Sequence, residues 1–281
     1  MKPLRNVAIV GVGLIGGSIG MALRKRQLAE SVVGIGRRQE TLRVARRVGA
    51  VTHTTVDLAK GVADAELVVV CTPVGRIADD VRAVAQHCPP GALITDAGST
   101  KQLIVEALDD QLDRGCRFLG SHPLAGGEKN GPAHASADLF EGRVAILTPT
   151  RNTRAEDFDL LESFWSSLGS LVMQMPPEEH DRVLALTSHL PHAAAAVLAT
   201  MVPETCFRLT GAGLLDTTRI AGSDPDLWLQ IFLANRENMV RVLRQYHAEL
   251  GNLIAALAAS DTAKIHEILT RAKKNRNALG N

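Results

Sequence analysis

The feature that most constrains this chain is a run of three closely spaced glycines near its start. Gly11-Val12-Gly13-Leu14-Ile15-Gly16 follows a short β-branched run, Val7–Val10, and opens a segment of helical spacing, Ile15–Arg26. Glycines at these positions permit a tight strand-to-helix turn, let the backbone approach a pyrophosphate, and allow close helix–strand packing. The helix N-terminus then faces the phosphates. The bare spacing also occurs in glycine-rich turns of unrelated α/β proteins, but here strand, motif and helix come in the order a dinucleotide site needs. Gly11, Gly13, Leu14, Ile15 and Gly16 are therefore cofactor-binding candidates. Thr72 and Pro73, directly after the apolar run Leu67–Cys71, join them.

The rest of the first half alternates short β-branched runs (Val32–Ile35, Leu67–Cys71, Ala92–Thr95, Val144–Leu147) with helix-like segments such as Gln39–Val48. That alternation is the signature of βαβ units around a mainly parallel sheet. Leu67–Cys71 is apolar throughout, as a strand covered on both faces should be. Beyond about Ala155 only Leu171–Met175 reads as a strand, and Pro176-Pro177 punctuates the chain. Glu178–Leu190 and His192–Met201 read as two helices. Asp224-Pro225 supplies an N-cap and a proline at the first helical position, opening a helix expected to run to Leu250 and stop at Gly251. A last helix, near Thr262–Arg276, is capped by Ser260 or Asp261. The expected fold is thus α/β, a Rossmann-type mainly parallel sheet over residues 1–175 followed by an all-α domain over 176–281.

Composition removes several classes of function. Lys+Arg 31 against Asp+Glu 30 leaves a net charge of +1, and aromatics are 3%. Neither a basic face for nucleic acid nor a base-stacking platform is expected. The longest apolar stretch, Ala193–Val202, reads as far short of a membrane span. Cys71, Cys88, Cys116 and Cys206 are widely spaced, without a C-x-x-C pair or other metal-ligand spacing, so no metal site or disulfide framework is expected. With no leader-like segment in view, the expected location is cytoplasmic.

Three further clusters carry chemistry. Gly34-Ile35-Gly36-Arg37-Arg38 ends the second strand. An NAD site usually places a carboxylate there for the ribose 2′-OH. Gly36 with Arg37 instead suits the 2′-phosphate of NADP, with NAD as the other choice; alternatively the arginines only open a surface helix. Asp96-Ala97-Gly98-Ser99-Thr100-Lys101 and Gly120-Ser121-His122-Pro123-Leu124-Ala125-Gly126-Gly127-Glu128 each sit at a strand end, where ligands bind in such sheets. His122, in a Gly/Ser/Pro loop, is the candidate base for a hydroxyl proton. His53, His87 and His134 read as structural. Last come Ser188-His189-Leu190-Pro191-His192 and the stretch from Asp216 through Arg219 to Trp228, unusually polar for a helical half. Helix capping accounts for Ser223 and Asp224, while the Arg219 fork suits a carboxylate.

Together these stretches (GVGLIGGS, DAGSTK, GSHPLAGGEKNG, LFEGR, SHLPH and DTTRIAGSDPDLW) resemble the prephenate/arogenate dehydrogenase family from Gly11 to about Met239. Gly127, where the family often has Ser or Thr, is a small departure. The resemblance implies NAD(P)-linked oxidative decarboxylation of a cyclohexadienyl acid on the route to tyrosine. It implies that His122 is the base, Ser99 orients the ring hydroxyl beside the nicotinamide, and Arg219 holds the ring carboxylate. Ser188 and His192 position substrate, Glu128 lies in an ionic network at the entrance, and Asp216 reaches the partner's site in a homodimer formed through the helical domain. The family's chorismate mutase and ACT regions are not expected in this chain. Prephenate is the first choice of substrate and arogenate the alternative. Two rival readings are a β-hydroxyacid dehydrogenase-like reductase, which would place a lysine or another proton donor where this chain has Ser188-His189 and His192, and a non-catalytic NADP-binding protein.

Overall fold

In the computed structural model, residues 2–109, 112–127 and 129–280 are described. Residues up to Asn235 form one compact unit and those from Arg236 another. Among its described residues the first unit holds the strands β1 (Leu4–Val10), β2 (Ala29–Ile35), β3 (His53–Thr55), β4 (Leu67–Val70), β5 (Leu93–Asp96), β6 (Arg117–Phe118), β7 (Gly120–Pro123), β8 (Val144–Thr148) and β9 (Leu171–Gln174). Its helices are α1 (Leu14–Lys25), α2 (Gln39–Arg47), α3 (Leu58–Val62), α4 (Ile77–Ala85), α5 (Gln102–Leu108), α6 (Ala155–Ser167), α7 (Pro177–Leu184), α8 (Leu190–Thr200), α9 (Ala212–Thr218) and α10 (Pro225–Ala234).

β1 to β6 form a parallel sheet in the order β3-β2-β1-β4-β5-β6. The period-two alternation of a strand explains its two covered faces. Val7 and Ile9 of β1, with Leu67 and Val69 of β4, face a core shared with Ile19 and Leu23 of α1 and with Phe164 and Trp165 of α6. Ala8, Val10, Val68 and Val70 face the other core, with Val81 and Val84 of α4. Each such Val, Leu, Ile or Phe side chain contributes about 1.5–3 kcal/mol on burial. The strand order reverses between β1 and β4, so the crevice at their carboxyl ends, between Gly11 and Thr72, is where this architecture places a ligand.

The run Val144–Leu147 belongs to a second, three-stranded sheet, β7-β8-β9, rather than to the parallel one. There β8 runs antiparallel to β7 and parallel to β9. Only Leu119 separates β6 from β7, and the crossing between sheets is pinned by hydrogen bonds. Thr95 Oγ1 donates to the Leu119 carbonyl at 2.7 Å, and the Ser121 amide donates to Asp96 Oδ1 at 3.1 Å.

Two helix expectations are corrected. Pro191 does not separate two helices: α7 and α8 are joined by a π-helical turn, Ala185–His189, and the helical span runs Pro177–Thr200. A proline lacks an amide and its ring clashes with the carbonyl four residues back, and a wider turn relieves both problems. By length and composition this span, longer than the run Ala193–Val202 alone, is apolar enough to cross a membrane. Its buried stripe, however, carries His180, Asp181 and His189, each hydrogen-bonded within the unit, as in a core helix. The helix from Asp224 also ends early. Asp224 caps α10 as expected, accepting from the Asp226 amide at 2.9 Å, but the chain turns out of helix at Asn235 (φ −113°, ψ 31°). In the second unit α11 (Arg236–Ala258) passes straight through Gly251, and α12 (Thr262–Ala278) starts at Asp261, whose side chain accepts from the Lys264 amide at 2.9 Å.

Candidate active site

The glycine-rich turn has the space a dinucleotide needs. Gly11 takes φ +94°, and a Cβ there would lie 2.7 Å from the Cys71 carbonyl oxygen. At Gly16 it would lie 2.2 Å from the Gly11 oxygen, whereas at Gly13 it would meet nothing within 4 Å. Gly11 and Gly16 thus serve the packing of strand against helix, and Gly13 borders open space at the start of α1. Among the described residues no side chain caps that helix end, and Leu14 and Ile15 form its half-buried first turn. Across the crevice Thr72 Oγ1 is buried and, among the described residues, has no hydrogen-bond partner, while Pro73 beside it is exposed. An open cradle, an uncapped helix start and an orphaned hydroxyl fit a nicotinamide dinucleotide. Arg37 and Arg38 are exposed just beyond β2, after the half-buried Gly36.

His122 lies within β7, not in a loop after a strand, opposite Ile146 of β8. The strand holds its backbone and leaves the imidazole 9% exposed. Its Nδ1 lies 2.9 Å from His180 Nε2, and His180 Nδ1 lies 2.8 Å from Asp181 Oδ1. Asp181 also accepts from the amides of Lys101 at 2.8 Å and Gln102 at 3.0 Å. Its own carbonyl accepts from Asn235 Nδ2 at 2.7 Å. Behind this line Lys101 Nζ donates to Asp96 Oδ2, both side chains wholly buried, and the Gly98 amide donates to the same oxygen at 2.8 Å. Burial, and then the neighbouring His180, Lys101 and His189, holds the His122 imidazole well below its usual range. Burial also lowers His180, outweighing its hydrogen bond to Asp181.

The polar stretch of the helical half gathers around Trp228. His192 stacks on the indole at 3.5 Å between ring centroids, and His189 meets it edge-on at 6.0 Å. His192 is pushed down to about 4, by burial first and then by the Arg219 guanidinium. His189 is likewise pushed down to about 4, chiefly by burial, and it faces the backbone of Ser99. Its Nδ1 lies 3.2 Å from Asn235 Nδ2. The segment Arg219–Gly222 packs on α8, which brings Arg219 to the His192 side of the site. Arg219 and Asp216 are exposed, while Ser188 and Ser99 are half-buried. Asn130 Nδ2 donates to Asp224 Oδ2 at 3.1 Å, tying the loop after β7 to the start of α10. Glu128, expected at the entrance, lies outside the described residues.

Sequence reading passed over His180, Asp181 and Asn235, and quoted Asp96 and Lys101 without giving them a role. A signal for the first pair was present. Pro177, His180, Asp181 and Leu184 share the buried stripe of α7, and two adjacent titratable residues on an apolar stripe are rarely without a partner.

Comparison with known proteins agrees with this layout. Residues 19–174 match the family model described as prephenate dehydrogenase, nucleotide-binding domain, and residues 176–271 match prephenate dehydrogenase, dimerization domain. The chain is 34% identical to cyclohexadienyl dehydrogenase of Zymomonas mobilis, covering 99% of this chain and 97% of that one. It is 32% identical to prephenate dehydrogenase of Bacillus subtilis, covering 98% and 76%. Among solved structures, prephenate dehydrogenase from A. aeolicus in complex with hydroxyphenyl propionate and NAD+ superimposes with a TM-score of 0.91 at 32% identity, over 98% of both chains. With a Rossmann-type nucleotide-binding sheet, a helical part after it and these relatives, the chain belongs to the prephenate dehydrogenase family of oxidoreductases.

Proposed function

We propose that this enzyme oxidatively decarboxylates prephenate to 4-hydroxyphenylpyruvate. The observation that carries the reading is His122, a nearly buried imidazole held neutral beside the carboxyl end of β5, with one ring nitrogen engaged by His180. A neutral imidazole is the group suited to receive the proton of a ring hydroxyl. A bound nicotinamide would accept a hydride from the ring carbon bearing that hydroxyl, while the bond to the ring carboxylate breaks, CO2 leaves and its electron pair closes the aromatic ring. Ser99 orients the hydroxyl, Arg219 holds the ring carboxylate of the dianion, and Ser188 and His192 flank it. Asp216 is assigned to the partner's site.

Gly11, Gly13, Leu14, Ile15 and Gly16 form the pyrophosphate turn, with Thr72 and Pro73 across the crevice. Gly36 followed by the exposed Arg37 supports NADP as the cofactor. We assign cofactor binding to residues 1–175 and substrate completion and homodimer formation to 176–281. Exposed Leu186 and Val197 on the Pro177–Thr200 span and Met201 just after it, with Leu229 and Leu233 on α10, support a covered interface there. Four free thiols support a reducing, cytoplasmic setting. Arogenate is the second reading, favoured by the broader substrate class named for the Zymomonas mobilis relative.

Steady-state kinetics with prephenate and arogenate, each crossed with NAD+ and NADP+, tests the reading. Prephenate should be the better substrate, and NADP+ should serve at least as well as NAD+. Arg37→Ala should weaken NADP+ selectively by roughly 1–3 kcal/mol. Absence of prephenate turnover overturns the substrate assignment, and a preference for NAD+ of about tenfold, or 1.4 kcal/mol, overturns the cofactor assignment.

A further inference from the structure

We propose that His180 and Asp181 are positioning residues for His122: they fix it as the tautomer with an unprotonated Nε2 and draw away the positive charge it gains when a hydroxyl proton arrives. This rests on the reading of His122 as the proton acceptor.

The hydrogen-bond order leaves one self-consistent arrangement. Asp181 accepts from two backbone amides, those of Lys101 and Gln102, as an ionised carboxylate does. His180 Nδ1, at 2.8 Å, must therefore carry a hydrogen and donate to Oδ1. A neutral His180 then turns a lone pair on Nε2 toward His122, so His122 Nδ1, at 2.9 Å, is the donor. The remaining nitrogen, Nε2, is the acceptor. Asn235 fastens the carbonyl of Asp181 and so fixes the turn of α7 that carries both residues.

Charge accounting gives the same direction. The titratable groups around the line are Asp96 at the end of β5, Lys101 before α5, His180 and Asp181 on α7, and His189 on the π turn. Asp96 and Lys101 form a closed buried pair. His189, with burial lowering it to about 4, adds no charge near neutral pH. That leaves the Asp181 carboxylate, 1% exposed and held by its hydrogen bonds to the Lys101 and Gln102 amides and to His180, as the acceptor at the end of the line. A proton arriving on His122 Nε2 can be followed by a shift of its Nδ1 proton to His180 Nε2, while the His180 Nδ1 proton stays on His180 and donates to Asp181. The positive charge then rests on His180, beside the Asp181 carboxylate. The overall reaction releases no proton, since the phenolate oxygen takes back the one the hydroxyl gave up, so the line has to hold charge only transiently.

The tests are His180→Leu, which cuts the line, and His180→Gln, whose side-chain oxygen can still accept from His122 Nδ1 but cannot pass charge on. With prephenate and saturating cofactor, His180→Leu should lower kcat on the order of 10²-fold with KM little changed. Its acidic limb should move down by roughly one pH unit, because the imidazolium loses its counter-charge. His180→Gln should recover part of kcat without restoring the limb. Nitrogen NMR of the free protein reads the tautomer without any turnover: wild type and His180→Gln should show His122 protonated at Nδ1 alone, and His180→Leu should show a mixture. Wild type protonated mainly at Nε2 overturns the proposal, as does a folded His180→Leu with wild-type kcat and limb. Should His180→Leu fail to fold, the wild-type spectrum and His180→Gln decide. Should neither substrate turn over, the proposed reaction fails, while the spectrum still decides the tautomer.

Discussion

Four imidazoles, His122, His180, His189 and His192, are held below their ordinary range, and burial is the leading cause for each. Each is neutral in the folded protein but takes a proton in the unfolded chain once pH falls below its ordinary value of about 6.5. Their contribution to stability is therefore fully present above that value and is lost as pH falls toward the folded values, about 4 for His189 and His192. Thermal melts across this window should show Tm falling steadily, in addition to any effect of carboxylates at lower pH. A Tm that stays flat from neutrality down to about 4 would contradict the burial described here. His122 could be picked out in the sequence because it sits among Gly, Ser and Pro near Asp96-Ala97-Gly98-Ser99. His180 could not be picked out the same way, because its partner His122 lies on a strand 58 positions away and only folding brings that strand to the helix carrying His180 and Asp181.

At the scale of elements, the glycine motif separates into two jobs that substitution can distinguish. Gly13→Ala adds a methyl that meets nothing within 4 Å in the protein, so the fold should melt within a few degrees of wild type. Cofactor should bind more weakly, by about tenfold or more, or 1.4 kcal/mol. Gly16→Ala drives its methyl into the Gly11 carbonyl at 2.2 Å and should cost stability outright, by about 1–3 kcal/mol as overpacking does. Equal effects of the two on Tm would refute this division. Among the elements, β1, β2 and β4 were legible as short β-branched or wholly apolar runs, and α1 by its helical spacing, because neither signal needs tertiary information. Those that were misjudged depend on tertiary contacts. The π turn absorbs Pro191, Asn235 breaks the chain where its side chain bonds Asp181 and His189, and Gly251 is tolerated inside α11 despite its usual role as a stop. The antiparallel pairing of β7 with β8 was likewise beyond local sequence, since a strand of four residues has the same pattern in either sheet.

At the scale of the molecule, the exposed leucines of α10 and the apolar outer face of the Pro177–Thr200 span call for a partner, and the matched dimerization model describes this part of the chain. Light scattering at micromolar concentration should give a dimer. Leu229→Arg combined with Leu233→Arg should give a monomer of much reduced activity, since Asp216 is assigned to the partner's site. A monomeric wild type would contradict that assignment. The glycine-rich turn was legible as a motif, and Arg219 stood out as a candidate for the ring carboxylate. The buried line between Asp181 and His122 was not legible, because it joins a strand to a helix that only folding brings together. The central claim is that His122 receives the proton in an oxidative decarboxylation. The most direct test is to follow reduced cofactor and CO2 together, with prephenate, for wild type and His122→Asn. Wild type should form the two in equal amounts, and His122→Asn should lower kcat by about 10²–10⁴ with KM little changed. Reduced cofactor without CO2, or a His122→Asn variant that keeps the wild-type kcat, would contradict it.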